Sequence, residues 1–330
     1  MNRSGRVTAT QVARRSGVSQ ATVSYVLNNS PVHKISDDTR ARVLKAAAEL
    51  DYTPYEPARA LASGASRVVL LVTPDFPGGH VVGELAAILG ELLAQQGRTL
   101  LNHRVSRAIA LSDVVAAVSP FAIISMVPLP TADRSAFELR GIAVEVIAFT
   151  DAAEGDDAEV VHPQQRIGHL QARHLLDRGH HRLAYALPDD SGSSLFFEPR
   201  RDGVLEECAS AGEPAPESAV VPLDLQAAAE VVGSWHAAGV TAVCAYNDDV
   251  AIAVMGGAHS LGLAVPGDLA VIGVDDIPFA ALVSPALTSV RLPVDAMAQE
   301  LVRQLADGRA ASAVQSVEPG GPVLIQRSSS

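Results

Sequence analysis

Hydrophobic residues near the start of the chain recur with the spacing of two short helices. Val12 and Ala13 lie together in the first segment, and Val23, Val26 and Leu27 recur at i, i+3 and i+4 in the second. Residues with this spacing line one face of a helix, so the two segments are expected to pack through their apolar faces. The pattern predicts a small helical core at the start of the chain.

Polar residues and a glycine mark where the first helix begins and ends. Thr8 and Gln11, three residues apart, fit a capping box, in which side chains satisfy free backbone N–H groups. The first helix is therefore expected to begin at Ala9 and to run to about Ser16. Gly17 ends it, because glycine readily adopts the backbone conformation of a turn.

The second helix carries a polar face opposite its apolar stripe. Ser19 is expected to be its N-cap, and Gln20, Ala21, Ser24 and Tyr25 lie on the face turned away from the core. Two short helices joined by a glycine turn form the unit that places a helix in the major groove of DNA, where such side chains reach base edges. A helical hairpin with a solvated polar face would show the same caps and periodicity and is the alternative.

A third helix and a short linker helix complete the N-terminal pattern. Ser36 is expected to cap the third helix, and its apolar stripe contains Val43, Ala46, Ala47 and Leu50. Residues 58–62 again have helical spacing, between prolines and a Ser/Gly-rich stretch. A helix this short is marginal in water, so we expect DNA to stabilise it when it forms.

The rest of the chain alternates short apolar runs with longer segments of helical spacing. The runs span residues 68–72, 99–102, 122–126, 144–149, 183–187, 219–223, 242–246 and 270–274. This alternation predicts parallel sheets with helices on both faces. A single sheet of that width would be unusual, so two lobes are expected, divided at about residue 158, with residues 287–292 as the return crossing. A doubly wound domain without a ligand is the alternative.

Several short motifs in the first sixty or so residues carry a family resemblance. They are Val7-Thr8, Gly17-Val18-Ser19, Thr22-Val23-Ser24, Thr39-Arg40, Val43, Asp51-Tyr52, Pro54, Ala58-Arg59 and Leu61. In order and spacing this segment resembles the LacI family of bacterial helix-turn-helix transcription regulators. The resemblance implies a hinge helix that folds on the operator, with Leu61 wedged into the minor groove. Tyr25 and Tyr55 depart from the residues common in the family.

The resemblance, together with the helix pattern, predicts which residues contact DNA. The expected set is Thr8, Ser19, Gln20, Ala21, Thr22, Ser24, Tyr25, Asn28, Ala58, Arg59 and Leu61. Gln20, Ala21 and Tyr25 are expected to read bases. Thr8, Ser24 and Asn28 are expected to hold phosphates, because groups at helix N-termini and flanking turns face the backbone.

Later motifs extend the resemblance and predict an effector cleft. They are Leu175-Leu176-x-x-Gly179-His180-x-Arg182-Leu183, Arg200-x-x-Gly203, Ala245-Tyr246-Asn247-Asp248, Val265-Pro266-x-Asp268, Gly273-Val274-Asp275-Asp276 and Pro285-x-Leu287-Thr288-x-Val290. By position, Arg200, Asn247 and Asp275 are expected to line a cleft between the lobes, facing Phe76 and His80 of the first lobe. Their structural alternatives are a surface arginine, a helix cap and a turn.

The first lobe departs from the family pattern. Residues 77–80 read Pro-Gly-Gly-His, Gln164-Gln165 stand at the lobe boundary, and Leu292 replaces a common Gln. These changes remove amide and carboxylate groups that a sugar would use. The effector is therefore expected to be something other than a sugar, or to be absent, in which case the protein would bind its operator unconditionally.

The expected fold class is α/β, with an N-terminal three-helix DNA-binding head, a hinge helix and a two-lobed periplasmic-binding-protein-like effector domain. The expected boundaries are 1–56 for the head, 57–66 for the hinge, 67–157 with about 290–330 partly returning for the first lobe, and 158–289 for the second.

The distribution of charged residues along the sequence follows this division. Residues 1–66 hold nine Lys/Arg against five Asp/Glu, and the remainder sixteen against thirty-two. A basic head on an acidic body suits contact with phosphates through the head alone.

Enzyme and cofactor motifs are not apparent in the sequence. It contains no Gly-x-Gly-x-x-Gly, Walker loop or Gly-x-Ser-x-Gly elbow, and His169 and His174 are not in zinc-protease register. No catalytic residue, metal or cofactor is therefore expected. Cys208 and Cys244 suit free buried thiols in a reducing cytoplasm, with a redox-sensing pair as the alternative.

The expected function is a repressor that binds a palindromic double-stranded DNA operator as a homodimer and responds to a small molecule. The competing classes are a solute-binding protein and a sugar-modifying enzyme. No signal peptide or long uncharged apolar stretch precedes or interrupts the helical head, which favours a cytoplasmic regulator over both secreted and membrane proteins.

Overall fold

The structure is a computed structural model that describes residues 7–27, 35–52, 66–75, 79–106, 108–147, 163–306 and 320–330. It divides into two compact units, Met1–Arg67 and Val68–Ser330, which we call the head and the body. Five residues predicted to contact DNA or effector, and most of the predicted hinge, lie outside the described residues. Those five are Asn28, Ala58, Arg59, Leu61 and Phe76.

The head consists of three helices around one apolar core. They are α1 (Ala9–Ser16), α2 (Gln20–Leu27) and α3 (Asp37–Glu49). The buried core comprises Val12, Ala13, Val23, Val26, Val43, Ala46 and Ala47. Gly17 follows α1 in the left-handed conformation with φ +70°, which a side chain would strain. The caps and the apolar spacing therefore place these helices where the sequence predicts them.

The body begins with a four-stranded parallel sheet in the order β2-β1-β3-β4. Its strands are β1 (Val68–Thr73), β2 (Thr99–Arg104), β3 (Ala122–Ser125) and β4 (Ala143–Val146). The intervening helices are α4 (Gly79–Gln95), α5 (Leu111–Val118) and α6 (Thr131–Glu138). Separate apolar clusters cover its two faces, one around Leu71 and Ile124 and the other around Leu70 and Ile123. We call this sheet and its helices the first lobe.

The second lobe contains a six-stranded sheet in the order β10-β9-β8-β7-β5-β6. Its strands are β5 (Leu183–Leu187), β6 (Glu217–Val220), β7 (Ala242–Ala245), β8 (Ala270–Val274), β9 (Thr288–Arg291) and β10 (Val323–Ile325). The helices are α7 (Pro163–Leu176), α8 (Ser194–Ser210), α9 (Leu225–Ala237) and α10 (Asp248–Ser260), and α11 (Val294–Ala306) follows β9. All pairings are parallel except that of β9 with β10.

The return to the first lobe differs in detail from the predicted crossing. Strand β9 pairs with β8, so residues 288–291 belong to the second sheet. Helix α11 makes the return, because Ala298 and Leu301 join the core that contains Leu85 and Leu89 of α4. Residues 323–325 then pair with β9 in the second lobe. Strand β6 also begins and ends earlier than its predicted run, at 217–220.

Two glycines allow α7 and α8 to pack in close contact. A Cβ added at Gly168 would lie 1.9 Å from the backbone oxygen of Arg200, and one at Gly203 would lie 2.2 Å from that of Gln165. Backbone atoms cannot yield as a flexible side chain can, so both positions require glycine. This contact sets Gln164 beside Arg200 under the cleft described below.

Candidate DNA-reading face and candidate effector cleft

The reading helix α2 begins at a capped turn. The backbone N–H of Thr22 donates to Ser19 Oγ at 3.1 Å, and the hydroxyls of Ser19 and Thr22 lie 2.9 Å apart. At the start of α1 the backbone N–H of Thr8 donates to Gln11 Oε1 at 2.7 Å. These bonds satisfy donors that a helix N-terminus leaves free, and they hold both helix starts in place.

The polar face predicted for α2 is on the surface of the head. Gln20 and Ala21 are exposed, and Ser24 and Tyr25 are partly exposed, whereas Val23 is buried. Thr8 and Ser19 are also exposed, and Thr22 is partly exposed. The described residues of the predicted DNA set are therefore available at the surface of one small three-helix domain.

The body contains a cavity of about 250 Å³ at the carboxyl ends of the strands of the second sheet. Its lining comprises Gly79, Pro188, Asp189, Asp190, Ser193, Val221, Leu223, Tyr246, Asn247, Asp249, Val250 and Asp275. Apart from Gly79, which begins α4 of the first lobe, these residues follow the carboxyl ends of β5, β6, β7 and β8. Ligands of open parallel sheets bind at this edge, because the strand-to-helix loops converge there.

Asn247 lines the cavity and also caps a helix. Its Oδ1 accepts a hydrogen bond from the backbone N–H of Val250 at 3.0 Å, at the start of α10. The cap and the cleft position therefore coexist. The cap orients the side chain, because it fixes the carbonyl oxygen toward the helix.

Arg200 does not line the cavity, which corrects the prediction. It is buried within α8, where its Nε donates to Gln164 Oε1 and its Nη1 to the backbone oxygen of Tyr246, both at 2.7 Å. The guanidinium carbon lies 4.9 Å from the centroid of the Tyr246 ring. The close packing of α7 on α8 holds Arg200 behind Tyr246, where its side chain contacts a residue of the cavity wall. The alternative of a surface arginine is also wrong.

Asp275 lines the cavity immediately after β8. Its backbone is left-handed, with φ +102°, and its N–H donates to the oxygen of Val290 at 2.8 Å. Burial raises the pKa of Asp275 to about 7; Arg200 opposes this rise, while Asp249 and Glu84 reinforce it. Glu84 lies on α4, so carboxylates of both lobes act on Asp275. Low solvation and like charges together make the ionised form of Asp275 costly.

The first lobe contributes less to the cavity than the sequence predicts. His80 is exposed and is not part of the cavity wall, whereas its neighbour Gly79 is. Phe76 lies outside the described residues. Among the described residues, the wall is therefore built almost entirely by the second lobe.

Sequence reasoning missed several side chains of the wall. They are Asp189, Asp190, Ser193, Tyr246 and Asp249. Each comes within a few residues of the end of a predicted strand, so the rule that ligands bind beyond strand ends would have identified them.

Asp248 connects the loops that carry the cavity wall. Its Oδ2 accepts from the backbone N–H of Ile277 at 2.8 Å, and its Oδ1 accepts from Ser289 Oγ at 2.6 Å. Ser289 Oγ in turn accepts from the N–H of Asp276 at 3.0 Å. A Cβ on Gly273 would lie 2.1 Å from Asp248 Oδ1, so glycine leaves room for this carboxyl. Burial raises the pKa of Asp248 to about 7, despite the two hydrogen bonds that lower it.

The body contains two cysteines that form no disulfide. Cys208 and Cys244 are buried free thiols, and burial raises the pKa of Cys208 to about 11 and that of Cys244 well above its ordinary value.

Within the described ranges, no group of three or more His, Cys, Asp or Glu side chains is placed to hold a metal ion. Among the same residues, no helix has the length and apolar character needed to span a bilayer.

Two family models match the chain. Residues 8–55 match the model described as bacterial regulatory proteins, lacI family. Residues 172–330 match a periplasmic binding protein-like domain. The first match covers the described helices of the head, and the second covers most of the second lobe.

Curated relatives match over nearly the whole length. The HTH-type transcriptional regulator GalR of Escherichia coli is 31% identical and the alignment covers 98% of this chain and 95% of GalR. The HTH-type transcriptional regulator DegA of Bacillus subtilis is also 31% identical, over 89% of each chain.

Solved structures share the fold. The lac repressor dimer bound to operator and the anti-inducer ONPF has a TM-score of 0.78 at 22% identity, covering 98% of this chain and 99% of that one. A LacI family protein from Silicibacter pomeroyi has a TM-score of 0.75 at 21% identity, with coverage of 98% and 99%. At these identities the structural likeness concerns the fold alone.

Proposed function

The chain belongs to the lacI family of bacterial regulatory proteins, and we propose that it represses transcription by binding a palindromic DNA operator as a homodimer. The observation that carries this proposal is the capped helix α2, which exposes Gln20 and Ala21 on the face opposite its buried valines. A regulator of this kind binds DNA in the bacterial cytoplasm and catalyses no reaction.

Base reading is assigned to three side chains of α2. We assign contacts with base edges to Gln20, Ala21 and Tyr25, since the exposed face of a helix in the major groove reaches them. We assign phosphate contacts to Thr8, Ser24 and Asn28, and further contacts with DNA to the hinge residues Ala58 and Arg59. Leu61 wedges into the minor groove, where unstacking costs a few kcal/mol that the contacts of bent DNA offset.

Dimerisation is expected because one recognition helix reads only a short stretch of DNA sequence. A single recognition helix contacts only about four base pairs, which is too few to specify a site in a genome. A two-fold dimer doubles this length and requires a palindromic site. The lac repressor, whose structure has been solved as a dimer bound to operator, supports the same arrangement.

Regulation is assigned to a small molecule in the cavity of the body. The lining joins loops of the second lobe to Gly79 of the first, so a ligand there would favour one relative arrangement of the two lobes. A ligand shifts this equilibrium only by its difference in affinity for the two arrangements, and tenfold regulation needs about 1.4 kcal/mol. An effector-independent repressor is the second candidate, favoured by the small share of the wall that the first lobe supplies.

Selection of bound sequences from random DNA duplexes tests this function with the full chain. The selected sites should contain two inverted half-sites, and sedimentation of the protein should show a dimer. Tyr25→Arg should change the preferred half-site, whereas Lys45→Ala, an exposed change on α3, should leave it unchanged. Failure to enrich any sequence, or tight binding of one half-site by a monomer, would contradict the proposal.

The hinge has a separate test. Leu61→Ala should reduce operator bending and should cost about 1–3 kcal/mol of binding free energy, as the loss of one good contact does. Bending is measured by the mobility of circularly permuted DNA fragments. Unchanged bending and affinity would show that Leu61 does not insert.

A further inference from the structure

We propose that the effector of this cleft carries a cationic nitrogen, of the ammonium class, bound by the carboxylates of the cavity wall. This inference rests on the proposed function, because it concerns the chemistry of the same effector site. The cavity at the strand ends locates the site. The charges of its wall determine which ligand it accepts.

The wall is acidic. Four of its twelve residues are aspartates, and they follow three different strands: Asp189 and Asp190 after β5, Asp249 after β7 and Asp275 after β8. Among the described residues that line the cavity, there is no Lys, Arg or His. A ligand with a phosphate or carboxylate would therefore enter a field of its own sign, which is unfavourable.

Arg200 is poorly placed to serve an anionic ligand. It is only 5% exposed, and two of its N–H groups are already hydrogen-bonded to Gln164 and to the backbone of Tyr246. Its guanidinium also packs over the Tyr246 ring. Even with Asp275 protonated, the three other carboxylates of the wall outweigh this one buried guanidinium, so the wall keeps a net negative charge.

The first lobe adds negative charge instead of balancing it. Glu84 on α4 raises the pKa of Asp275, together with Asp249. Asp249 and Asp275 both belong to the second lobe, so approach of the lobes around an empty cleft would bring Glu84 toward them, which opposes closure. A cationic nitrogen beside Asp275 and Asp249 would offset the repulsion from Glu84, so it would bind the closed arrangement more tightly than the open one.

The remainder of the wall suits a small carbon framework. Val221, Leu223, Val250 and the ring of Tyr246 provide apolar surface beside the carboxylates, and Asn247 and Ser193 provide polar groups. The cavity volume of about 250 Å³ is at the small end of ligand sites. A neutral polyol would also hydrogen-bond to carboxylates, but it would leave their charges unpaired.

Matched probes that share a carbon skeleton and differ in their charged groups test the inference, with one such group in the first set and two in the second. One set has a six-carbon polyol skeleton: 1-amino-1-deoxysorbitol, sorbitol and gluconate. The other has a four-carbon skeleton: 1,4-diaminobutane, 1,4-butanediol and succinate. Calorimetric titration of the full chain should show, in at least one set, that the amine binds at least tenfold more tightly than the neutral member, with no detectable binding of the anion.

Variants locate the binding in the cleft. Asp249→Asn and Asp275→Asn each replace an ionisable carboxyl group with a neutral amide of nearly the same shape, and each should weaken binding of the amine at least fivefold. Glu217→Gln removes a charge from the exposed strand β6, outside the cavity wall, and should leave the affinity unchanged. Asp249 is exposed, so its variant is expected to fold even where Asp275→Asn does not, and thermal melting checks both.

Three results would overturn the inference. They are equal or tighter binding of the neutral or anionic members in both sets, no binding by any probe, and amine binding that the Asp249 and Asp275 variants do not weaken. Selection of operator sequences with the same preparation separates the two proposals. Specific DNA binding without a preference for the amine would reject the ligand class and leave the regulator intact.

Discussion

The DNA-reading face and the effector cleft differ in how far apart their residues lie along the chain. The reading face comes from one helix, residues 20–27, with a cap at Ser19. The cleft draws its wall from residues between Gly79 and Asp275. A site formed by one helix depends on the caps of that helix and on a small core. A site formed by residues that are distant in the sequence depends on all the packing contacts that position its loops relative to one another.

The two sites also differ in charge and in the core beneath them. The head has more Lys/Arg than Asp/Glu, whereas the body has more than twice as many Asp/Glu as Lys/Arg. The head core contains seven buried hydrophobic residues, but the larger core of the second lobe spans two layers of helices and a sheet. The head should therefore respond to single core changes, and the cleft to changes in distant packing and in the burial of charge.

The largest expected effect concerns the buried carboxyl of Asp248. Its pKa is raised to about 7, so the folded body binds a proton that the unfolded chain releases near pH 4. Its contribution to stability is present below the unfolded pKa and is lost as pH rises to about 7. Asp248→Asn resembles the protonated form. Between pH 4 and pH 8, the unfolding free energy of this variant should rise relative to the parent, on the order of 3 kcal/mol.

Urea unfolding at a series of pH values measures this difference, followed by the fluorescence of Trp235, which is buried in the second lobe. The comparison with the parent at each pH cancels the titration of the other groups. A difference that stays constant across the series would show that Asp248 ionises in the folded body as freely as in the unfolded chain.

A second change tests how far the cleft depends on helix packing. Gly168→Ala would place a Cβ 1.9 Å from the backbone oxygen of Arg200, so α7 and α8 must separate. We expect a loss of about 3 kcal/mol of stability, at the upper end of the usual cost of overpacking. The matched control is Gly90→Ala in α4, where a Cβ meets nothing within 4 Å. It should stabilise the body by about 0.5–1 kcal/mol, because glycine weakens a helix interior. Equal unfolding midpoints for the two variants would contradict the packing argument.

The corresponding change in the head tests its small core. Val23→Ala removes a fully buried side chain of the reading helix and should cost about 2 kcal/mol, by comparison with other large-to-small core changes. Operator binding should then be lost at a lower temperature. Leu44→Ala on α3 is the control, because Leu44 is 49% exposed. Similar melting of DNA binding in both variants would mean that the head core does not limit recognition.

The smallest expected effect concerns the cap of the reading helix. Ser19→Ala removes the acceptor of the Thr22 N–H and should cost about 1 kcal/mol, whereas Ser19→Asn keeps a good cap. Thermal unfolding of the head, followed by circular dichroism, measures this difference. If both variants melt alike and below the parent, the serine hydroxyl acts through something other than the cap.

Local patterns predicted most of the secondary structure for a physical reason. The bounds of α1 and α2 follow from Thr8, Gly17 and Ser19, whose caps act within a few residues. Buried parallel strands were also found near their predicted runs, because such strands are continuous apolar segments. Strand β6 begins earlier than predicted, at Glu217, and its residues are mostly exposed at an edge of the sheet, where apolar character is a weaker guide.

The sequence by itself determined the helix-turn-helix head, the alternation of strands and helices in the body and the opposite charges of these two parts. These properties depend on neighbours along the chain or on composition. The tertiary structure decided that Arg200 lies behind Tyr246, that α11 makes the return to the first lobe, and that four aspartates meet around one cavity. Those results depend on sheet order and on the close approach of helices at Gly168 and Gly203, which bring together residues that are distant in the sequence.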